Sequence, residues 1–542
     1  MEKNSKYYQK QMGKGVGWRR YLHTLYLLKI TPDKDFGFGE FVLKSDSSEV
    51  KGNTVKQLIT AIDNIITADN LVVKNSNSKD AVMIFVDDFD KIRAFMPSKQ
   101  LEEDSCSRFI CFKEVVEFRE WDRLVPTNTK EEDVFNVLMI WQKLFIENKT
   151  PYLTLAQYPR KKMLNEYYAK KLMPENDTQL KIMYQGLHSG VLYSDYTPII
   201  ERPMIGADIV SAYIHSIAYK KHCMTTPTKT DPSKWEEYLR SNVQGSIGLY
   251  TITYECNHEA IKCYKQYVST TKYNIDKDQP SLELGQHTVK IVLCDIDLVT
   301  LQDFEEFKII NIECNALYTW RKGYLPDCIR YYCVNQFIQK NTLKKGSLEQ
   351  LLYKQILNSG FFGNFLYEAK SYISGRMNLK YGQYKAIAHA CPLWGIYTCA
   401  YVRNTIITLG QQLDGWHYSD TDSIYCDYTP NNVRLVEDYN DQIINYNNSL
   451  TELLRYTPEQ CKYVYKLGQF VFDNLLIKFR FFNYKQYAYK TINNDIVVKC
   501  SGCSHKDYDD SIFTNPDFRF KYILLRKKWS KNYYCVRRII VD

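Results

Sequence analysis

Two aspartates one residue apart, Asp420 and Asp422, are bracketed by Trp416-His417-Tyr418-Ser419 on one side and Ser423-Ile424-Tyr425-Cys426 on the other. Apolar and aromatic stretches joined by a short polar turn read as a β-hairpin, so both carboxylates stand at its tip and face a common point. The fold must therefore carry this hairpin in a sheet and bring something against its acids. The Asp-x-Asp pattern alone carries little, because Asp33/Asp35, Asp88/Asp90, Asp276/Asp278, Asp295/Asp297 and Asp507/Asp509 repeat it. A divalent ion used in phosphoryl chemistry demands hard oxygen ligands, and paired ions need a carboxylate close enough to bridge them. A third acid from another strand would complete the cage. Asp208, near the end of the apolar run Met204-Ile205-Gly206-Ala207-Asp208-Ile209-Val210, is the candidate. Its alternative reading is an N-cap for a helix beginning near Ser211-Ala212-Tyr213.

A third cluster, Lys354-Gln355-Ile356-Leu357-Asn358-Ser359-Gly360-Phe361-Phe362-Gly363, has helical spacing. Lys354 and Asn358 are four residues apart and share a helix face, with Phe361 or Phe362 one turn on. A cation, an amide and a ring then point the same way, and an ammonium suits a triphosphate as a point charge. The bland reading of each residue is a solvated lysine beside core aromatics.

The 542 residues exceed what one hydrophobic core usually serves and predict two to four domains. With 45% apolar and 25% charged residues the chain is that of a folded globule, not a disordered, collagen-like or coiled-coil one. The net charge of +9 is compatible with a polyanion partner without requiring one. Both ends are basic: residues 1–20 hold six Lys or Arg and residues 518–542 hold eight. No apolar stretch approaches the roughly 20 residues a membrane span takes, and the start lacks the apolar core of a secretion signal. The expectation is a cytoplasmic chain with reduced thiols and no membrane partner. The single Cys500-Ser501-Gly502-Cys503 has no second pair nearby to complete a zinc site.

Taken in order, Asp208 with Ser211 and Tyr213, Lys354 with Asn358, Ser359 and Gly363, and Tyr418 with Asp420, Thr421, Asp422 and Ser423 resemble motifs A, B and C of family B DNA polymerases. Tyr184-Gln185-Gly186 and Lys485-Gln486-Tyr487, followed by Lys499-Cys500-Ser501-Gly502, are similar to two further motifs of the protein-primed branch found in phi29-type phages. The resemblance spans about 184–506. It implies an α+β multidomain fold: a right-hand polymerase of palm, fingers and thumb, preceded by an RNase H-like exonuclease-type α/β domain. The implied boundaries are 1–178 for the exonuclease-like domain and 179–206 for a linker. They continue with 207–335 for palm and first insertion, 336–363 for fingers, 364–393 for a short second insertion, 394–484 for palm and 485–542 for thumb.

The resemblance further implies a DNA polymerase that takes a template-primer, deoxynucleoside triphosphates and a terminal priming protein in phage or mobile-element replication. Asp208 and Asp422 would bridge two Mg²⁺ ions, with Mn²⁺ able to substitute, helped by Asp420 and the Ile209 carbonyl. Lys354, with Lys340 and Lys344, would hold the triphosphate. Gln350 stands where family members carry a further basic residue. Tyr213 would exclude a ribose 2′-hydroxyl, and Asn358 with Phe361 or Phe362 would pack on the nascent base pair. Motif B holds one residue more than the family pattern before Gly363, which leaves the stacking ring open between the two. Tyr184, Gly186, Ser211, Ser359, Gly363, Thr421, Lys485 and Tyr487 would contact DNA.

The front domain departs from that family. Its first strand, expected over Arg19–Leu27, offers leucines where two exonuclease carboxylates should stand, and Met139 replaces a later aspartate. Only Asp90 matches the middle acid, and one carboxylate cannot hold two metals, so an inactive nuclease fold is expected. The rivals to a replicative polymerase are an untemplated or protein-primed nucleotidyltransferase, as in phage defence, and a catalytically silent nucleic-acid-binding scaffold. The second fits poorly with three carboxylates placed beside a polyanion, where like charges repel.

Overall fold

The structure is a computed structural model. It describes residues 25–540 apart from 34–37, 69–81, 104–109, 113–115, 122–123, 126–128, 130, 149–171, 189, 196, 257–284, 305–307, 367–390, 473–474, 501–507, 516–517, 519–521 and 531–532. The chain divides into two compact units, one formed by 1–159, 340–356 and 528–534, the other by the remainder. Most of the expected second insertion, Cys503 and the basic N-terminal tail lie outside the described residues, as do the side chains of the basic C-terminal strands.

The first unit holds a seven-stranded sheet. From one edge its order is Glu49–Gly52, Phe38–Lys44, Leu25–Pro32, Val82–Val86, Val116–Glu120, Ile110–Phe112, Leu101–Glu103. The three central strands run parallel and the flanking ones antiparallel. This is the RNase H-like arrangement. Its apolar strands bury Leu28, Ile30, Phe41, Leu43, Ile84 and Phe118 against Leu58 and Ile62 of the helix Val55–Ala68. Burial on the order of 1.5–3 kcal/mol per large side chain makes this face the core.

The second unit is built on a nine-stranded sheet in which Met204–Ile209 is central. Ser423–Asp427, Trp416–Thr421 and Val191–Ser194 follow on one side, and Leu476–Asn483, Gln486–Thr491 and Ile496–Cys500 on the other. Segment 179–206, expected as a linker, forms the end of the helix Asp177–Gln185 and three strands of this sheet. The helix Pro392–Gly410 is apolar nearly all round and buried accordingly. A five-stranded sheet with the long strands Gln244–Cys256 and Lys308–Tyr324 occupies the interval between Asp208 and the Lys354–Gly363 cluster. Tyr522–Ser530 and Tyr533–Ile540 form a two-stranded sheet. Among the described residues no helix is long and apolar enough to cross a membrane.

Candidate active site

Asp208 is the one exposed side chain on an otherwise buried strand, with Met204, Ile205, Ala207 and Ile209 all in the core. The strand pairs antiparallel with Ser423–Asp427, placing Asp208 opposite Ser423, and the Ile209 N–H donates to the Asp422 carbonyl at 2.8 Å. Asp422 occupies the hairpin turn between Trp416–Thr421 and Ser423–Asp427, where Thr421 adopts φ 67° and the Asp422 N–H donates to the Asp420 carbonyl at 2.8 Å. Acids more than two hundred positions apart thus meet at the end of one sheet. The N-cap reading of Asp208 is set aside: the helix Ala212–Tyr219 has Ser211 at its N-cap, in the left-handed region at φ 51°.

The electrostatics register the convergence. Burial, then the charges of Asp208 and Asp420, push the Asp422 carboxyl up to about 7. Asp420 has other company: its Oδ1 accepts the Lys485 ammonium at 2.7 Å and the Thr421 hydroxyl at 3.0 Å. Lys485 sits at a hairpin tip with φ 62°, and its backbone N–H donates to the Tyr418 hydroxyl at 3.0 Å. Among the described residues no three acidic, histidine or cysteine side chains form a metal cage by themselves. Two carboxylates at one end of the sheet, one raised by burial and then by its like-charged neighbours, fit Mg²⁺, which usually binds one or two carboxylates together with substrate phosphates and water.

Tyr213 stacks on Phe362, with ring centroids 4.4 Å apart and planes 13° from parallel. Burial raises its phenol, with Cys399 and Asp422 adding to the effect. The helix Leu348–Gln355 continues as a π-helical segment, Ile356–Phe362. A π-turn absorbs one residue more than an α-turn, so the surplus residue of the third cluster is taken up there. The ring that meets Tyr213 is Phe362; the side chains of Ser359 and Phe361 lie outside the described residues.

No protein-family model matches the chain, and no curated protein does. Solved structures do. Phi29 DNA polymerase in a ternary complex with primer-template DNA and incoming nucleotides has a TM-score of 0.59 at 13% identity, covering 95% of this chain and 98% of that one. Its binary complex with primer-template DNA gives 0.59 at 14%, covering 96% and 99%, and its complex with single-stranded DNA gives 0.56 at 14%, with the same coverage.

The chain has the phi29 DNA polymerase fold.

Within that phi29-type fold the remaining expected residues divide. Lys354 is exposed near the end of its helix, whose N-cap is Ser347, accepting from the Gln350 N–H. Gln350 in turn accepts the Gly346 N–H at 3.2 Å, so the residue standing in a basic position serves the helix start. Burial, then the Lys354 charge, pull the Lys340 ammonium down to about 8. These two lysines belong to the first unit, while Lys344 is exposed there. Asn358 and Gly363 are exposed in the second unit.

Three of the expected DNA contacts are buried. Tyr184 is 1% exposed, and Gly186 is buried at the end of its helix, where an added Cβ would fall 2.6 Å from Ile247 Cδ1. Tyr487 is 6% exposed among Tyr418, Tyr425, Phe479 and Tyr489, its hydroxyl 3.2 Å from that of Tyr425. Rings packed in the core present no face to a nucleic acid. Spacing alone also gave no sign of the buried bidentate pair Arg403–Asp297, at 2.9 and 2.7 Å, or of Asp295 paired with Lys322.

In the first unit the strand Leu25–Pro32 carries no acid. The acids after Val82–Val86 all have partners. Asp87 pairs with Lys91, whose ammonium also donates to the Ile30 carbonyl at 2.7 Å. Asp88 caps the helix Phe89–Phe95, and Asp90 pairs with Arg93 at 2.7 Å.

Proposed function

We propose that the protein is a DNA-directed DNA polymerase that adds deoxynucleotides to a 3′-hydroxyl, or to a protein-borne hydroxyl at initiation, without 3′–5′ proofreading. The observation that carries this reading is the meeting of Asp208 and Asp422 at the end of one sheet in a phi29-type fold. Asp208, Asp422 and the Ile209 carbonyl would hold two Mg²⁺ ions, with Mn²⁺ able to substitute; such ions activate the attacking hydroxyl and neutralise the leaving pyrophosphate. Asp420, paired with Lys485 at 2.7 Å, supports the two ligands from beside them.

Lys354 and Lys340 grip the triphosphate. The Lys340 ammonium, lowered by burial and then by the Lys354 charge, gains from an anion placed beside both. Tyr213, held flat by Phe362, closes the space a 2′-hydroxyl would need. Lys485 steadies primer phosphates, a contact that fixes position without reading sequence. The partners are a template-primer, deoxynucleoside triphosphates and a terminal protein in phage or mobile-element replication. The absence of acids on Leu25–Pro32 and the cationic partners of Asp87 and Asp90 support a first unit without nuclease activity.

Extension of a primed template with each nucleotide omitted in turn tests the reading. Products ending one base before each omitted partner support it. Products of the same length whatever the template belong to an untemplated transferase, and no products at all to a silent scaffold.

A further inference from the structure

Gly190 ends the loop after the helix Asp177–Gln185 and directly precedes the strand Val191–Ser194, whose Val191 pairs with Thr421. A Cβ placed on Gly190 would fall 2.6 Å from Thr421 Cγ2, 2.9 Å from its Cα and 3.0 Å from its Cβ. Gly190 is outside the left-handed region, so its missing side chain serves close approach and not an unusual backbone angle. What it approaches is the tip of the acidic hairpin. Thr421, itself at φ 67°, hydrogen-bonds Asp420 and is followed by Asp422.

The loop that presents Gly190 is tied down from behind. The His188 carbonyl accepts from an Arg403 guanidinium nitrogen, and His188 Nε2–H donates to the Val292 carbonyl at 2.8 Å. Arg403 is held in turn by both oxygens of Asp297, in a pair with no exposed side-chain surface. Such a pair costs much to break and so keeps its geometry. The Thr421 backbone therefore rests on a backbone that cannot easily retreat.

We infer that Gly190, carried by the Arg403-anchored His188 loop, is a positioning residue that sets the Asp420-Thr421-Asp422 tip against Asp208. This rests on the reading of Asp422 as a catalytic residue. A side chain at 190 must push the tip or the loop, and misplacement by about 1 Å costs on the order of 100-fold in rate.

The test is a double-mutant cycle of Gly190→Ala and Thr421→Gly in the full chain. Gly190→Ala is expected to lower kcat for nucleotide addition about 10- to 100-fold, leaving KM for the nucleotide and Kd for primer-template within about twofold. The loss shrinks several-fold in the Thr421→Gly background, where Cγ2 and Cβ are gone. Arg403→Lys, which retains a charge for Asp297 but loses the fork that reaches His188, gives the same kcat signature. An unchanged kcat for Gly190→Ala, or an equal loss in both backgrounds, overturns the inference. Where the parent chain shows no nucleotide addition, a crystal structure of Gly190→Ala separates the inference from the polymerase reading: a tip displaced from Asp208 upholds the positioning role, and an unmoved tip refutes it. Nucleotide addition by Asp422→Asn at the parent rate refutes the polymerase reading instead.

Discussion

Asp208, on the strand Met204–Ile209, and Asp422, in the turn of the neighbouring antiparallel hairpin, are tied by the hydrogen bond from the Ile209 N–H to the Asp422 carbonyl, while Asp420 two residues away is taken by Lys485. The arrangement leaves one half-buried carboxyl, that of Asp422, pushed up to about 7 by desolvation and then by its two acidic neighbours. Sheets do not gather like charges without a reason, and stability is sacrificed locally where chemistry needs it.

The sign of that sacrifice is testable. With a folded value near 7 against an unfolded value of about 4, the native chain binds more protons than the unfolded one between those pH values, so stability falls as pH rises through the interval. Asp422→Asn is expected to raise the melting temperature of the metal-free protein by a few degrees at pH 8 and to leave it nearly unchanged at pH 4. Differential scanning calorimetry reads both.

Tyr213 lies under Phe362, and a small residue at either position opens space. Tyr213→Val is expected to improve the kcat/KM ratio of ribo- to deoxynucleotide by about one to two orders of magnitude. Phe362→Ala should give a smaller change of the same sign, and Phe362→Tyr little. Single-nucleotide incorporation on a primed template measures the ratio; unaltered discrimination in Tyr213→Val contradicts the assignment.

Lys485→Ala removes the cation from Asp420 at a half-exposed site, so its cost in folding is under about 1 kcal/mol. Its effect on DNA is larger in kind. The slope of log Kd against log salt for a primer-template is expected to drop by about one contact, and Lys485→Arg to restore it. Fluorescence anisotropy over a salt series reports the slope.

A second pH dependence sits away from the acids. His417 bridges Asp195 at 2.5 Å and Asp427 at 3.1 Å, with Arg202 also on Asp427. Burial lowers the His417 value, but the hydrogen bonds to both carboxylates outweigh it and leave it raised. For Asp195, burial raises the value, but the bonds from His417 and Thr197 leave it lowered. The His417 contribution is then complete below about 6.5 and is lost as pH rises through its raised folded value; that of Asp195 is present above about 4 and is lost as pH falls through its lowered one. His417→Gln should remove on the order of 1 kcal/mol at pH 6 and less at pH 9, as read by urea melts.

The first unit should leave 5′-labelled single-stranded DNA intact in Mg²⁺ or Mn²⁺. Degradation that disappears in Asp90→Ala would contradict the reading of its acids as caps and ion-pair partners.

How much of this was legible in the chain depended on whether the signal was local. Asp208 stood out by its short apolar strand and Asp422 by the hairpin around it, and the order of the clusters suggested the long-range pairing that no single strand encodes. Tyr184 and Tyr487 misled for the converse reason: spacing places a ring in a motif but does not tell whether neighbours from distant strands bury it. The choice between Phe361 and Phe362 hung on an α-to-π change, which shifts a side chain around the helix axis without altering the sequence pattern. Arg403 and Asp297, 106 residues apart, share no local pattern, and Asp297 looked like one more Asp-x-Asp repeat. Nothing around Gly190 in the sequence marks its close approach to Thr421, 231 positions on.

The central claim is that Asp208 and Asp422 hold metal ions together. Titration of Mn²⁺ followed by electron paramagnetic resonance, in the presence of primer-template and a non-hydrolysable deoxynucleotide, tests it most directly. The account predicts two bound ions for the parent chain and loss of at least one in either Asp208→Asn or Asp422→Asn. Two ions retained with unchanged affinity in both variants would contradict it.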